Sequence, residues 1–518
     1  MTHQRRLYDD DIDVAESILD RHRSTAAEVC PVDTYGHLID GEWVDSDGGE
    51  VGEAVDATTG ERLAGFQLGT AADVDHAVDA AAGAADGTWG QASPQRRAEL
   101  LHRVADALEE RKTEIAKLDS LEVGKPNQHS LFVDAELLVD QFRHFAGLAR
   151  TWDGGRVVPT DAGKHIYTRR EPYGVVGVIT AWNFPAMFVA WKLGPALAAG
   201  NAVVFKPSER AVLSTLEVAR EVDRVLPPGT VNVVTGLGDP VGEAITSHEG
   251  IGKVSLTGSV PTGKAAMRNA AETITPITLE LGGKSPNIVF PDADIEAAVE
   301  GAIVGIFYNQ GQQCVAGSRL LLHEDVADAF LERLAERIDE LQVGDPLSPM
   351  TDIGPQIDSY HQEMVLEYLD TALEEGATLY SGGGVPEEGE LAGAPFVNPT
   401  VLTDVANEHT VAREEVFGPV LAVMEWADRE EMLATANDTD YGLAAGVWTN
   451  DIETAHEVVA ALEAGTVWVN TYEDIIDPAP YGGWKQSGFG KELAEEALDA
   501  YTRGKTVRFS LDDNPTLG

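Results

Sequence analysis

Val175-Val176-Gly177-Val178-Ile179 runs apolar without a break and leads into Ala181-Trp182-Asn183-Phe184-Pro185. Nothing in the run alternates, so it suits a strand buried on both faces of a parallel sheet, whose carboxyl end is where such folds place their sites. Outward from it, Ala202–Phe205, Val231–Val234 and Val254–Leu256 repeat the pattern, with helical stretches Ser214–Val225 and Thr262–Ala271 between or after them. This alternation predicts a doubly wound parallel sheet. It restarts after Glu280 with strand Asn287–Phe290, helix Ile295–Tyr308, strand Leu320–Leu322 and helix Val326–Leu341. Strands at Val420–Met424, Gly446–Trp448 and Thr466–Val469 complete a second α/β unit. Upstream, Val74–Ala85 and Gln95–Lys117 read as helices, with Ser93 as N-cap and Pro94 in the first turn of the latter. A chain of 518 residues exceeds one ordinary core, so two or more domains are expected.

Three residues attract chemical attention. Cys314, one of two cysteines, follows the apolar run Ile303–Tyr308 and lies in the polar turn Asn309-Gln310-Gly311-Gln312-Gln313-Cys314. Reactive thiols occupy polar, partly open sites and structural ones apolar surroundings, and this context alone is compatible with either. Glu280 is embedded in the strand-like run Ile274–Leu281. A carboxylate there finds a partner, carries a raised pKa suited to a general base, or sits on the exposed face of an edge strand. Asn183 offers an amide N–H for an oxyanion, or is an ordinary turn asparagine. Cys30 reads as a bystander.

Composition sets the surroundings. Acidic residues number 87 against 37 basic, a formal net charge of -50. Nucleic acid and anionic membranes are therefore poor partners. Such self-repulsion weakens a compact state at ordinary salt, whereas at roughly molar salt the Debye length falls to about 3 Å, which points to a halophilic cytoplasm. Two cysteines exclude a disulfide scaffold. Met1–Asp20 has no apolar signal core, and no run approaches the ~20 apolar residues that span a bilayer, so a cytoplasmic protein is expected.

Taken together, Trp182-Asn183-Phe184-Pro185, Phe205-Lys206-Pro207-Ser208-Glu209, Leu256-Thr257-Gly258-Ser259, Leu279-Glu280-Leu281-Gly282-Gly283-Lys284, Asn309-Gln310-Gly311-Gln312 before Cys314, Glu415-Val416-Phe417-Gly418-Pro419 and Tyr481-Gly482-Gly483-Trp484-Lys485-Gln486-Ser487-Gly488 resemble the aldehyde dehydrogenase superfamily, in the family's order, from about Tyr35 to about Arg508. The resemblance implies an α/β fold: a Rossmann-type NAD-binding domain (35–155 and 174–284), a second α/β catalytic domain (285–484), and a small β oligomerisation arm (156–173 and 485–518). Residues 1–34 form an N-terminal extension, loose or a short helix on the body. Lys164–Arg170 and Thr506–Phe509 belong to the arm, which pairs subunits into a homodimer or homotetramer.

It also implies NAD-dependent oxidation of a small-molecule aldehyde to an acid. Cys314 attacks the carbonyl, Asn183 and the Cys314 N–H hold the oxyanion, and Glu280 activates the water that hydrolyses the thioester. Lys192 and Glu492 sit where relatives keep a proton relay. A coenzyme-A-acylating relative generally lacks the base at Glu280, and a non-catalytic descendant of the fold is expected to lose nucleophile or base. For the cofactor, Gly238 and Gly242 belong to a stretched glycine pattern, and Gly258 and Ser259 open a helix after a strand, as phosphate sites do. Lys206, Ser208 and Glu209 follow a strand end. Glu209 can accept the ribose hydroxyls and repel a 2′-phosphate, which favours NAD, although some relatives with this glutamate accept NADP. Ile179, Trp182, Leu281, Glu415 and Phe417 complete the cofactor set. His361 stands after Gly354-Pro355-Gln356 where relatives often carry a glutamine, leaving its ribose contact open. The aldehyde tunnel is implied at Phe188, Trp191, Tyr308, Gln313, Val315, Glu473, Ile475 and Tyr481. This aromatic wall with one acid suits apolar, aromatic or cationic aldehydes, betaine aldehyde among them. No metal is expected.

Overall fold

The computed structural model describes residues 14–46, 48–160, 163–386, 393–475 and 479–510. Parts of the expected extension (1–13) and arm (161–162 and 511–518) lie outside the described residues. The first sheet has eight strands in the order Gly488–Phe489, Ile277–Glu280, Lys253–Thr257, Val175–Ile179, Ala202–Lys206, Val231–Val233, His37–Ile39, Glu42–Val44. The five from Ile277–Glu280 to Val231–Val233 are parallel. Val175–Ile179, Ala202–Lys206 and Lys253–Thr257 are buried at every residue, as their unbroken apolar pattern requires. From Val175–Ile179 the chain adds strands first on one side and later on the other. The crevice between Ile179 and Thr257 is thus the topological switch point at which open α/β sheets bind ligands.

A second, seven-stranded sheet runs Thr378–Ser381, Thr400–Thr403, Val420–Trp426, Arg319–His323, Pro286–Val289, Ala444–Trp448, Thr466–Val469, parallel except for its first strand. In a third, Thr502–Ser510 pairs antiparallel with Lys164–Pro172 along its whole length, beside Val157–Val158. Within 485–510, Gly488–Phe489 joins the first sheet and only Thr502–Ser510 belongs to this arm sheet. A small sheet of Thr34–Tyr35, Arg62–Leu68 and Glu50–Val55 flanks the first. Among the described residues no helix is long and apolar enough to cross a membrane.

Several elements differ by a few residues from their expected bounds, two of them for clear physical reasons. The helix predicted over Gln95–Lys117 runs Pro94–Val123, because Leu118, Leu121 and Val123 continue its buried face, and it stops at Gly124 with φ 78°. Ser93 Oγ caps it by accepting from Arg96 N, and Pro94 opens it. Ile274 is not in the strand: it caps the preceding helix at φ 56° and is 88% exposed, so the strand starts at Ile277. Helix Leu213–Val225 has no capping side chain of its own. Buried Glu122 supplies the acceptor instead, taking N–H bonds from Val212, Leu213 and Ser214 at 2.8, 2.7 and 2.8 Å.

The N-terminal segment forms helix Glu16–Val29. Val14 and Ile18 pack on Ala394 and Phe396, and Val29 joins the core around the first sheet. Fully buried His22 bridges Asp56 Oδ2 at 2.6 Å and Asp345 Oδ1 at 2.9 Å, tying the turn of the small sheet to the loop after helix Glu324–Glu340. Nearby Cys30 is half-buried, and burial pushes its thiol up to about 12, in keeping with an inert bystander.

Candidate active site

Cys314 and Glu280 open onto one cavity of about 500 Å³. Their loops are brought together by missing side chains. A Cβ on Gly283 would lie 2.3 Å from the Cys314 carbonyl oxygen, and one on Gly282 would lie 2.1 Å from Glu415 Oε2. Only glycine lets the strand end carrying Glu280 run under the cysteine turn. That turn is itself held tightly. Asn309 and Gln310 adopt left-handed φ of 48° and 57°, and Asn309 Nδ2 donates to the carbonyls of Asn183 and Gln312 at 3.0 and 3.1 Å. Asn183 Nδ2 donates to the Gln312 carbonyl at 2.9 Å, which fixes the amide beside Cys314 and engages one of its two N–H groups.

Burial pushes the Cys314 thiol up to about 12, opposed by the Tyr481 hydroxyl 3.5 Å from Sγ and reinforced by the Glu415, Glu280 and Glu473 carboxyls. Glu280 is 5% exposed, so the edge-strand reading fails: Gly488–Phe489 covers its strand. Burial, then the Glu492 charge, lifts its carboxyl well above the usual range against Lys192 and Lys491. Behind it, Lys192 Nζ and Glu492 Oε1 form a buried pair at 2.6 Å.

The cavity brings together Phe188, Trp191, Tyr308, Val315, Glu473, Ile475 and Tyr481. Trp191 meets Tyr481 edge-on at 5.2 Å. Gln313, expected in this wall, is not on it. It is buried behind, where its amide bonds Glu473 and the Val304 carbonyl, because the turn at Asn309–Gln310 rotates Cys314 rather than Gln313 toward the cavity. Burial lifts Glu473 to about 8, with Lys125 opposing. Sequence reasoning missed Phe184, Met187 and the outer wall of Phe132, Asp134, Glu136, Asp140 and Arg143. The signal existed only for Phe184, which sits inside the Asn183 motif. Asp134 accepts from Tyr308 Oη at 3.1 Å and contacts fully buried Lys125, whose Nζ stands 3.8 Å from the Phe184 ring centre.

The other expected residues line up along the switch-point crevice. Lys206 Nζ pairs with Glu209 Oε2 at 3.1 Å, and burial of Glu209 is outweighed by Lys206, which holds its carboxyl below the usual range. Ser208 Oγ accepts from Arg210 N at 3.3 Å. Gly242 is buried with Ile179 and Lys206 each 3.8 Å from a built Cβ, whereas Gly238 lies exposed at the start of the turn. Ser259 caps helix Val260–Thr273, and Gly258 N donates to the Glu280 carbonyl at 3.0 Å. Leu281 N donates to the Ser487 carbonyl at 2.9 Å. On the opposite wall Glu415 Oε1 accepts from Gly283 N at 3.0 Å, and burial lifts its carboxyl to about 7. Trp182 meets Phe417 and His361 edge-on, each at 5.4 Å. His361 is buried and Nε2 donates to the Phe417 carbonyl at 2.8 Å; burial lowers its pKa to about 4, so the ring is neutral and props Phe417, whose φ is 58°. These residues therefore supply a cation–carboxylate pair, Lys206–Glu209, and an aromatic cluster of Trp182, Phe417 and His361.

A sequence profile described as Aldehyde dehydrogenase family matches residues 43–507. A betaine aldehyde dehydrogenase of Brucella anthropi is 44% identical over 472 residues, covering 91% of this chain and 96% of that protein. The crystal structure of a Staphylococcus aureus betaine aldehyde dehydrogenase in complex with NAD⁺ superposes with a TM-score of 0.92 at 37% identity, covering 96% of this chain and 98% of that one. An NAD⁺ complex of a Bacillus cereus aldehyde dehydrogenase gives 0.90 at 40% identity, covering 97% and 100%.

Proposed function

Because the chain belongs to the aldehyde dehydrogenase family, we propose that it oxidises an aldehyde to the carboxylic acid with NAD⁺, using Cys314 as nucleophile and Glu280 as base. The observation that carries this reading is the shared cavity: thiol and buried carboxyl open onto one largely apolar space. Cys314 Sγ attacks the carbonyl carbon, its proton passing to solvent water in the cavity. The oxyanion takes the remaining N–H of Asn183, a donor typically worth ~3 kcal/mol in the transition state. When bound, NAD⁺ supplies the hydride acceptor. Trp182, Glu415 and Phe417 would hold its nicotinamide end, Ser259 its phosphates, and Glu209 its adenosine ribose. In the last step Glu280 takes a proton from water, whose oxygen adds to the thioester, and Cys314 leaves as thiolate.

Glu209 in the crevice supports NAD over NADP, since a 2′-phosphate would meet its carboxylate. The aromatic wall of Phe184, Trp191, Tyr308 and Tyr481 beside Glu473 and Asp134 supports a cationic aldehyde such as betaine aldehyde. The arm sheet, with Val157 and Phe509 exposed, supports pairing into a homodimer or homotetramer, and the -50 charge supports a working place in a salty cytoplasm.

The test is NADH formation at high salt across an aldehyde panel with NAD⁺ and NADP⁺. Cys314→Ala should form no NADH, and Glu280→Gln should stall after a stoichiometric burst; parent-like steady turnover in either sinks the mechanism. Betaine aldehyde should exceed its neutral isostere 3,3-dimethylbutanal in kcat/KM, and an advantage that survives Glu473→Gln unchanged removes Glu473 from substrate choice.

A further inference from the structure

A polar stripe leads away from the cavity on one face of the first sheet. Lys253, Ser255 and Thr257 alternate along their strand, and Thr278 and Glu280 lie in register beside Ser255 and Thr257. All five therefore share a face. Thr257 and Glu280 border the cavity, and Ser255 Oγ donates to Glu492 Oε1 at 3.4 Å. Lys253 ends the stripe in the interior. It is 2% exposed, its Nζ donates to Thr278 Oγ1 at 3.3 Å, and it stands 5.6 Å from the Tyr501 ring centre. A hydroxyl, not a carboxylate, answers this amine.

Two carboxyls and two amines are thus buried in one cluster. Lys192 and Glu492 satisfy each other at 2.6 Å, which leaves Glu280 and Lys253 as the unmatched members. A buried charge without a partner is costly, and the cluster avoids it in two ways. Either Glu280 is a neutral acid and Lys253 a neutral amine, or one proton has moved and both are charged. The net charge is the same in both.

We propose that Lys253 is a positioning residue for hydrolysis: it takes up the proton that Glu280 must release to act as base, by way of the Lys192–Glu492 pair. The proposal rests on the reading of Glu280 as that base. The balance is Glu280–COOH plus Lys253–NH₂ going to Glu280–COO⁻ plus Lys253–NH₃⁺, with nothing drawn from outside the cluster. Burial pushes both groups toward the uncharged arrangement. Burial brings Lys253 down to about 7, with Glu492 opposing and Lys192 assisting. Burial and Glu492 lift Glu280, with Lys192 and Lys491 opposing. The Tyr501 ring also stands near Lys253 Nζ, at 5.6 Å. This resolves a conflict in the resting site, where a base that holds its own proton has no function.

The experiment follows decay of the thioester formed in the NADH burst as a function of pH, in the parent, Lys253→Met, Thr278→Val and Glu280→Gln. Lys253→Met should move the acidic limb of decay upward by about one pH unit, a roughly tenfold loss below the limb, and keep the burst amplitude. Thr278→Val removes the acceptor that stabilises the protonated amine and should move the limb the same way by less, which covers the case of Lys253→Met failing to fold. Limbs that stay at the parental pH in the folded variants, or burst and decay lost in proportion, overturn the proposal. Parent-like decay in Glu280→Gln would overturn the reading of the base itself; loss there with unmoved limbs in the other variants overturns this proposal alone.

Discussion

His22→Gln should release the N-terminal helix, and do so far more at neutral than at alkaline pH. Burial alone would lower the His22 pKa; hydrogen bonds and charges of Asp345 and Asp56 outweigh it and raise the value from 6.5 to about 9. Because the folded value lies above the unfolded one, the folded chain binds the proton more tightly. Its stabilisation is complete below about pH 6.5 and is lost as pH rises through about 9. A shift of ~2.5 units is worth roughly 3 kcal/mol at pH 6, about 2.6 at pH 7 and about 0.4 at pH 9. The substitution also removes contacts at every pH, but Asp56 keeps the N–H groups of Thr58 and Thr59 and Asp345 keeps that of Leu347, so this part is flat with pH. Trypsin cutting after Arg21 and Arg23, within helix Glu16–Val29, reads opening of that helix directly. Where opening and closing are fast, the cleavage rate follows the open population. The ratio of variant to parent should therefore fall by ~40-fold between pH 7 and pH 9. A ratio that is equal at the two pH values refutes the protonated bridge.

Glu209→Gln should raise kcat/KM for NADP⁺ relative to NAD⁺ by roughly tenfold, since it removes the repelling charge and keeps an acceptor; an unchanged ratio in paired initial-rate assays counts against the cofactor assignment. Glu122→Ala leaves three helix N–H groups without their acceptor and should cost about 3 kcal/mol, read as a lower urea midpoint, whereas a cost under about 1 kcal/mol contradicts the capping role. Melting temperature and sedimenting mass should rise between about 0.1 and about 3 M KCl, as the Debye length shrinks roughly fivefold, and flat values across that range dispose of the halophilic reading.

What the sequence disclosed depended on whether the deciding interaction was local. Val175–Ile179 and Ala202–Lys206 were legible because burial on both faces leaves an unbroken apolar run, and Ser93-Pro94 because a cap acts within one turn. The start of Leu213–Val225 was not, because its cap, Glu122, comes from 90 residues away. Cys314, Glu280 and Asn183 were legible through ordered motifs; the chain brings Cys314 and Glu280 to one cavity and ties Asn183 to the Gln312 carbonyl of the cysteine turn. The misplacement of Gln313 turned on two left-handed residues, Asn309 and Gln310, neither of them glycine, which no propensity predicts. His361 broke the expected glutamine pattern, and only its bond to the Phe417 carbonyl gives it a place.

Protonation states were the least legible feature, although the chemistry depends on them. A thiolate and a carboxylate facing each other across an apolar cavity would repel strongly, and burial eases that conflict by favouring the neutral form of both Cys314 and Glu280. Each must then be charged only when its own half-reaction needs it: the sulfur while it attacks, the carboxylate after the thioester has formed. A site tuned this way cannot rely on bulk pH to set both groups, because a fixed pH does not change between the two half-reactions. It needs a separate store for one proton within the protein. The first sheet provides a place for it on Lys253, in the interior and away from the aldehyde, where a positive charge gained during hydrolysis stabilises Glu280 without meeting the substrate.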